Sequence, residues 1–130
     1  LLARAIQCVA PGTPQVYYAG LLAETNDMTL LSRTNVGRDI NRPYIAREGI
    51  ALALEKPLVK ALIELIKLRN TCDAFNGNFH VAGGKYSLEM SWINNNCSAV
   101  LSINLQDGLS EINIAENGVS RNILIKSLLS

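Results

Sequence analysis

The residues of this chain best suited to chemistry lie in one short run, Gly37-Arg38-Asp39-Ile40-Asn41-Arg42, between two apolar segments. Arg38 carries its charge at any ordinary pH and offers a planar fork of donors that fits a carboxylate or the hydroxyls of a sugar. Asp39, flanked by Arg38 and Arg42, allows a second role: a local ion-pair lattice that pins a long loop. Composition alone leaves both open. Other candidates fail on number or spacing. His80 is the only histidine, so neither a histidine metal cluster nor a Ser–His pair can be built around it; it reads as a surface strand position. Gly83-Gly84-Lys85 lacks the spacing of a phosphate loop and reads as a turn. Asn96-Cys97-Ser98 matches the glycosylation triplet, with no secretory signal to support it. Cys8, Cys72 and Cys97, three in all, show no metal-type spacing and are expected to be buried, reduced thiols. Trp92 reads as packing.

The elements that must position the Arg38 loop follow from periodicity and breakers. Leu1 to Ala10 repeats its apolar positions with helical spacing but has no capping residue ahead of it, so the chain is expected to be cut from a longer one. Pro11-Gly12 stops that helix. Gln15 to Gly20, β-branched and aromatic between proline and glycine, is expected to be a buried strand, with Tyr17 and Tyr18 packed between strand and helix and their hydroxyls satisfied locally. Beyond it, Asn26 or Asp27 can cap a short helix through Leu31, and Glu48 to Glu55 suits another.

The clearest helix begins at Pro57, a residue favoured in a first turn, and runs to Asn70 with Leu58, Ala61, Leu62, Leu65, Ile66 and Leu68 as its apolar face. Lys60, Glu64 and Lys67 form a solvated stripe, Lys60 and Glu64 being spaced to pair. From Cys72 onward the pattern changes to strands at Phe79–Ala82, Tyr86–Trp92, Ala99–Leu105, Ser110–Ala115 and Val119–Ile125. Gly83-Gly84, Asn94-Asn95-Asn96, Asp107-Gly108 and Asn117-Gly118 separate them, and the last two suit type I′ turns. Residues 72–130 therefore read as a small antiparallel β domain with one wet face.

Composition excludes several function classes. The 130 residues are 48% hydrophobic and 18% charged, with a formal net charge of +1. The charges are scattered, which leaves no footprint for nucleic acid or anionic lipid. No run approaches the ~20 apolar residues of a membrane span, and a cytoplasmic location is expected. Helix, short strand, long polar loop and helix is the cadence of a β/α barrel unit, in which ligand residues sit on loops after the strands. Arg38 falls on that side.

The run Pro11-Gly12-Thr13-Pro14-Gln15-Val16-Tyr17-Tyr18-Ala19-Gly20-Leu21-Leu22-Ala23, the triplet Asn26-Asp27-Met28, the Gly37–Arg42 loop and Arg69-Asn70 before Ala74-Phe75 closely resemble the carboxyl-terminal part of bacterial sucrose phosphorylases, in the alpha-amylase superfamily. The resemblance covers residues 1 to about 79 and is specific there; over the β domain only the architecture is similar. It implies an α/β portion followed by an all-β one. Residues 1–71 would close a (β/α)8 TIM barrel (end of helix 7, strand 8 at Gln15–Gly20, the long loop, helix 8), and residues 72–130 would be the antiparallel β domain beside it.

It implies transfer of glucosyl from sucrose to inorganic phosphate by a retaining double displacement, using an aspartate nucleophile and a glutamate acid/base, without metal or organic cofactor. Those carboxylates lie upstream of this chain in the family, so Asp39 and Glu48 do not replace them. Arg38 alone carries over, as a substrate-binding residue lining the glucosyl pocket. Sucrose and phosphate would be the partners, and a homodimeric full-length enzyme stays open. Many relatives have histidine and tyrosines after Asn-Arg where this chain has Pro43-Tyr44-Ile45, which puts substrate preference in question. Sister phosphorylases acting on sucrose 6′-phosphate or glucosylglycerate, and a non-catalytic β-rich binding module, are the alternatives.

Overall fold

The computed structural model describes residues 1–129. Five helices, α1 (Leu2–Val9), α2 (Tyr18–Leu21), α3 (Met28–Thr34), α4 (Arg47–Leu54) and α5 (Pro57–Thr71), precede five strands, β1 (Asn78–Gly83), β2 (Ser87–Asn94), β3 (Cys97–Asn104), β4 (Ser110–Glu116) and β5 (Val119–Leu124). Short 3-10 turns occupy Gly37–Asn41, Asp73–Asn76 and Ile125–Leu129. The strands form an antiparallel meander in the order β1-β2-β3-β4-β5.

Alternation sets the sheet's two faces. Met90, Leu101 and Ile112 stand opposite one another, as do Trp92, Ala99 and Ile114, and all six are buried. Strand side chains point alternately up and down, so the residues between them, such as Asn113 and His80, face water. The buried face packs against Ala5, Cys8 and Val9 of α1, Leu65 and Leu68 of α5, Phe75 and Ile125, giving one hydrophobic cluster that runs from the first helix to the last turn. Trp92 ties the layers together. Its Nε1–H donates to the carbonyl oxygen of Val9 at 2.6 Å in a buried bond, satisfying an acceptor that the end of α1 leaves open.

Several expectations are corrected. No strand forms over Gln15–Gly20: residues 13–17 are irregular, with Tyr17 extended at φ −70° and ψ 145°, and Tyr18–Leu21 is one turn of helix. A strand is defined by the ladder it shares with neighbours, and among the described residues this stretch has none. Tyr17 and Tyr18 are accordingly 47% and 40% exposed rather than packed. On α5 the buried face is Val59, Ala61, Leu62, Leu65 and Leu68, with Leu58 turned outward at 41% exposure.

Lys60 does not pair with Glu64. Lys60 Nζ lies 2.6 Å from Glu55 Oε2, and Lys67 Nζ lies 2.7 Å from Glu64 Oε1. Glu64 precedes Lys67 on α5, the better orientation on a helix, and Lys60 holds the Glu55 carboxyl below its usual range, chiefly by that hydrogen bond. Asn117-Gly118 forms the expected turn with φ of 50° and 81°, whereas at Asp107-Gly108 only the glycine is left-handed, φ 69°, within a longer loop between β3 and β4. Cys8 and Cys72 are buried, but Cys97 is only half-buried at the start of β3.

Candidate functional site

The Arg38 loop is a short turn anchored at both ends. Val36 is extended, at φ −106° and ψ 110°, and feeds the 3-10 turn; the Asp39 N–H closes back on Val36 O at 2.9 Å. The chain then leaves helical geometry at Arg42, φ −125°. On one side the Asp27 N–H donates to Ile40 O at 2.7 Å, while Asp27 Oδ1 accepts from the Leu30 N–H at 2.7 Å and so caps α3. On the other side the Tyr18 hydroxyl donates to Pro43 O at 3.0 Å. Asp27 and Tyr18 thus hold the turn between them.

Arg38 is exposed and makes no ion pair among the described residues, and neither does Asp39. The ion-pair lattice is therefore absent. Successive side chains in a three-residue turn project ~120° apart, which separates Arg38 from Asp39. Arg42 likewise makes no ion pair among the described residues. Arg38, Arg42 and Tyr44 are all exposed. Asn41, in the same turn, lines a cavity of about 240 Å³ with Arg4, Tyr17, Glu24 and Asn26. Glu48, on α4, is exposed and stands outside this group.

Tyr18 and Lys56 escaped sequence reasoning. Nothing in the sequence marks the hydroxyl of Tyr18 for a carbonyl 25 residues away. Its neighbour Tyr17 raises the Tyr18 phenol above the ordinary tyrosine range, burial and Tyr44 act in the same sense, and Arg42 opposes them. The hydroxyl keeps its proton and remains a donor at neutral pH. Lys56 Nζ reaches Leu22 O at 3.2 Å, Ala23 O at 3.4 Å and Glu24 Oε1 at 3.0 Å, fastening the segment after α2 to the start of α5. A larger cavity of about 580 Å³, edged by Ser87, Glu89, Ser102 and Glu111, lies on the sheet and includes no residue of the Arg38 loop. Among the described residues no cluster of metal-ligating side chains occurs and no helix is long and apolar enough to cross a membrane.

No protein-family model matches the chain. It is 54% identical over 113 residues to the sucrose phosphorylase of Agrobacterium vitis, covering 86% of this chain and 23% of that protein. It is 36% identical over 126 residues to the glucosylglycerol phosphorylase of Marinobacter adhaerens, covering 95% of this chain and 26% of that protein. The crystal structure of sucrose 6F-phosphate phosphorylase from Thermoanaerobacter thermosaccharolyticum superposes with a TM-score of 0.87 at 37% identity, over 94% of this chain and 25% of that one. The chain spans about a quarter of the length of these relatives. Helices followed by a five-stranded antiparallel sheet match the carboxyl-terminal region of that crystal structure, and this chain is homologous to the carboxyl-terminal region of the sucrose phosphorylases.

Proposed function

We propose that the chain belongs to a phosphorylase that transfers glucosyl from sucrose to inorganic phosphate, releasing fructose and α-glucose 1-phosphate, and that Arg38 binds the glucosyl unit. In this reading residues 1–71 close a (β/α)8 barrel, residues 72–130 form the adjoining β domain, and the parent enzyme is cytoplasmic. The nucleophile and the acid/base are carboxylates outside this chain, working by the two-step retaining scheme. Arg38 supplies fixed donors to sugar hydroxyls, which suits a group that must hold a polyol without reacting with it.

The observation that carries this is the exposed guanidinium of Arg38, in no ion pair among the described residues, on a turn anchored from both sides in a chain 54% identical to a sucrose phosphorylase. The apolar side chains left open on the same portion, Met28 at 59%, Tyr44 at 92% and Leu52 at 73% exposed, support a larger body around it and argue against a self-contained binding module. A sister activity is the second reading, supported by the likeness to enzymes named for sucrose 6(F)-phosphate and glucosylglycerol. In the full-length protein carrying this chain, Arg38→Ala should lower kcat/KM for sucrose by about tenfold or more, the worth of a charged hydrogen bond, with an unchanged thermal midpoint. Undiminished glucose 1-phosphate release would refute the role, and side-by-side assays on sucrose, its 6′-phosphate and glucosylglycerol separate the sister activities.

A further inference from the structure

Granting the proposed sugar-binding role of Arg38, on which this rests, we infer that Tyr18 is the residue that positions the Arg38 turn, through the hydrogen bond from its hydroxyl to Pro43 O.

Among the described residues, two hydrogen bonds fasten the turn Gly37–Asn41 and its exit at Pro43 to the rest of the chain. One, the Asp27 N–H to Ile40 O, belongs to the backbone. The other is a single side-chain hydroxyl, that of Tyr18, reaching Pro43 O at 3.0 Å. Remove it and the stretch from Arg42 onward is held at one end only, because Arg42 to Ala46 is irregular and Tyr44 is 92% exposed. Pro43 makes the fastening effective. Its ring locks φ and restricts the conformation of Arg42 before it, so fixing its carbonyl fixes the exit direction of the turn as well.

Tyr18 stands on a turn of helix that is itself anchored in the core. It opens α2, whose Ala19 is buried, and its ring lies 4.5 Å from that of Tyr17. The bond is exposed, so once the hydroxyl is removed water can satisfy the Pro43 carbonyl, and little stability rests on it. Its consequence is geometric: displacements of ~1 Å in a group that aligns substrate can cost ~100-fold in rate. A tyrosine holding a loop by a solvent-exposed bond contributes precision rather than stability.

The test is a double-mutant cycle in the full-length protein that carries this chain, with sucrose phosphorolysis as readout. Tyr18→Phe should lower kcat/KM for sucrose about tenfold, leave KM for phosphate and the thermal midpoint unchanged, and cause no further loss when added to Arg38→Ala, since groups acting through one another are not additive. Losses that simply multiply would overturn the inference. So would a Tyr18→Phe enzyme as active as its parent beside an impaired Arg38→Ala enzyme, an outcome that leaves the Arg38 role standing. If Arg38→Ala is itself silent, the sugar-binding role falls and the positioning role with it.

Discussion

Trp92 shows how one side chain can join two layers. Its indole is 7% exposed and meets Phe75 at 6.0 Å and Phe79 at 5.1 Å, while the Arg69 guanidinium lies 4.9 Å over its ring. Its N–H takes the carbonyl at the end of α1. Trp92→Phe keeps an aromatic ring but strands that buried acceptor, for which the penalty is ~1 to 3 kcal/mol; the urea midpoint should fall with an unchanged m-value, and an unshifted midpoint would show that water reaches Val9. Sequence reasoning named Trp92 as packing because a lone tryptophan in an alternating strand has few other uses. Arg38 is proposed as a binding residue for the same kind of reason: its chemistry is written in its type. Tyr18 was not legible, because the partner of a hydroxyl is a matter of tertiary geometry, and no local pattern distinguishes a tyrosine that donates to Pro43 from one that packs.

Among the elements, the segment from α2 to α3 depends on Lys56, which stands just ahead of α5 and gathers Leu22 O, Ala23 O and Glu24 Oε1. Ala23 lies at φ 51°, a left-handed conformation that costs a non-glycine residue ~1 to 2 kcal/mol. Such a residue persists only where its surroundings hold it, and Lys56 does the holding. The lysine side chain is 42% exposed, so water screens the ion pair and its worth is modest. Lys56→Met should therefore lower stability by only ~1 kcal/mol, yet increase amide exchange across residues 22–26; exchange unchanged there would mean that the α2 packing alone fixes the segment.

The elements with strong local signals were legible. Asp27 caps α3, Pro57 opens α5, and Asn117-Gly118 turns β4 into β5. Gln15–Gly20 was not, since β-branched and aromatic composition describes a side chain suited to a sheet, and a sheet requires neighbours. The pairing expected of Lys60 failed for a related reason: Glu55, just past α4, competes for the same lysine.

On the scale of the whole molecule, the two ends of the helical portion differ in how they are covered. α1 and the second half of α5 sit on the sheet and share its cluster, with Cys8 so enclosed that burial raises its thiol above the ordinary range, Arg4 and Arg69 opposing this. The stretch from Tyr17 to Leu58 instead turns Met28, Tyr44, Ile50, Leu52 and Leu54 outward. Exposed apolar side chains gathered on one portion of a chain mark a place where something packs. If the rest of a barrel packs there, Leu52, 73% exposed in this chain, is buried in the full-length protein, and Leu52→Glu would bury an unpaired charge.

Such a substitution costs several kcal/mol when enclosed and almost nothing when exposed. The same change therefore has opposite effects in two backgrounds. In the isolated chain, Leu52→Glu should leave the thermal midpoint in place and reduce binding of a hydrophobic dye. In the full-length protein it should lower the midpoint by several degrees and depress phosphorolysis with it. Equal midpoints for the full-length parent and variant would mean that Leu52 faces solvent there too, and the larger body inferred around Arg38 would have to be sought on another side of the chain.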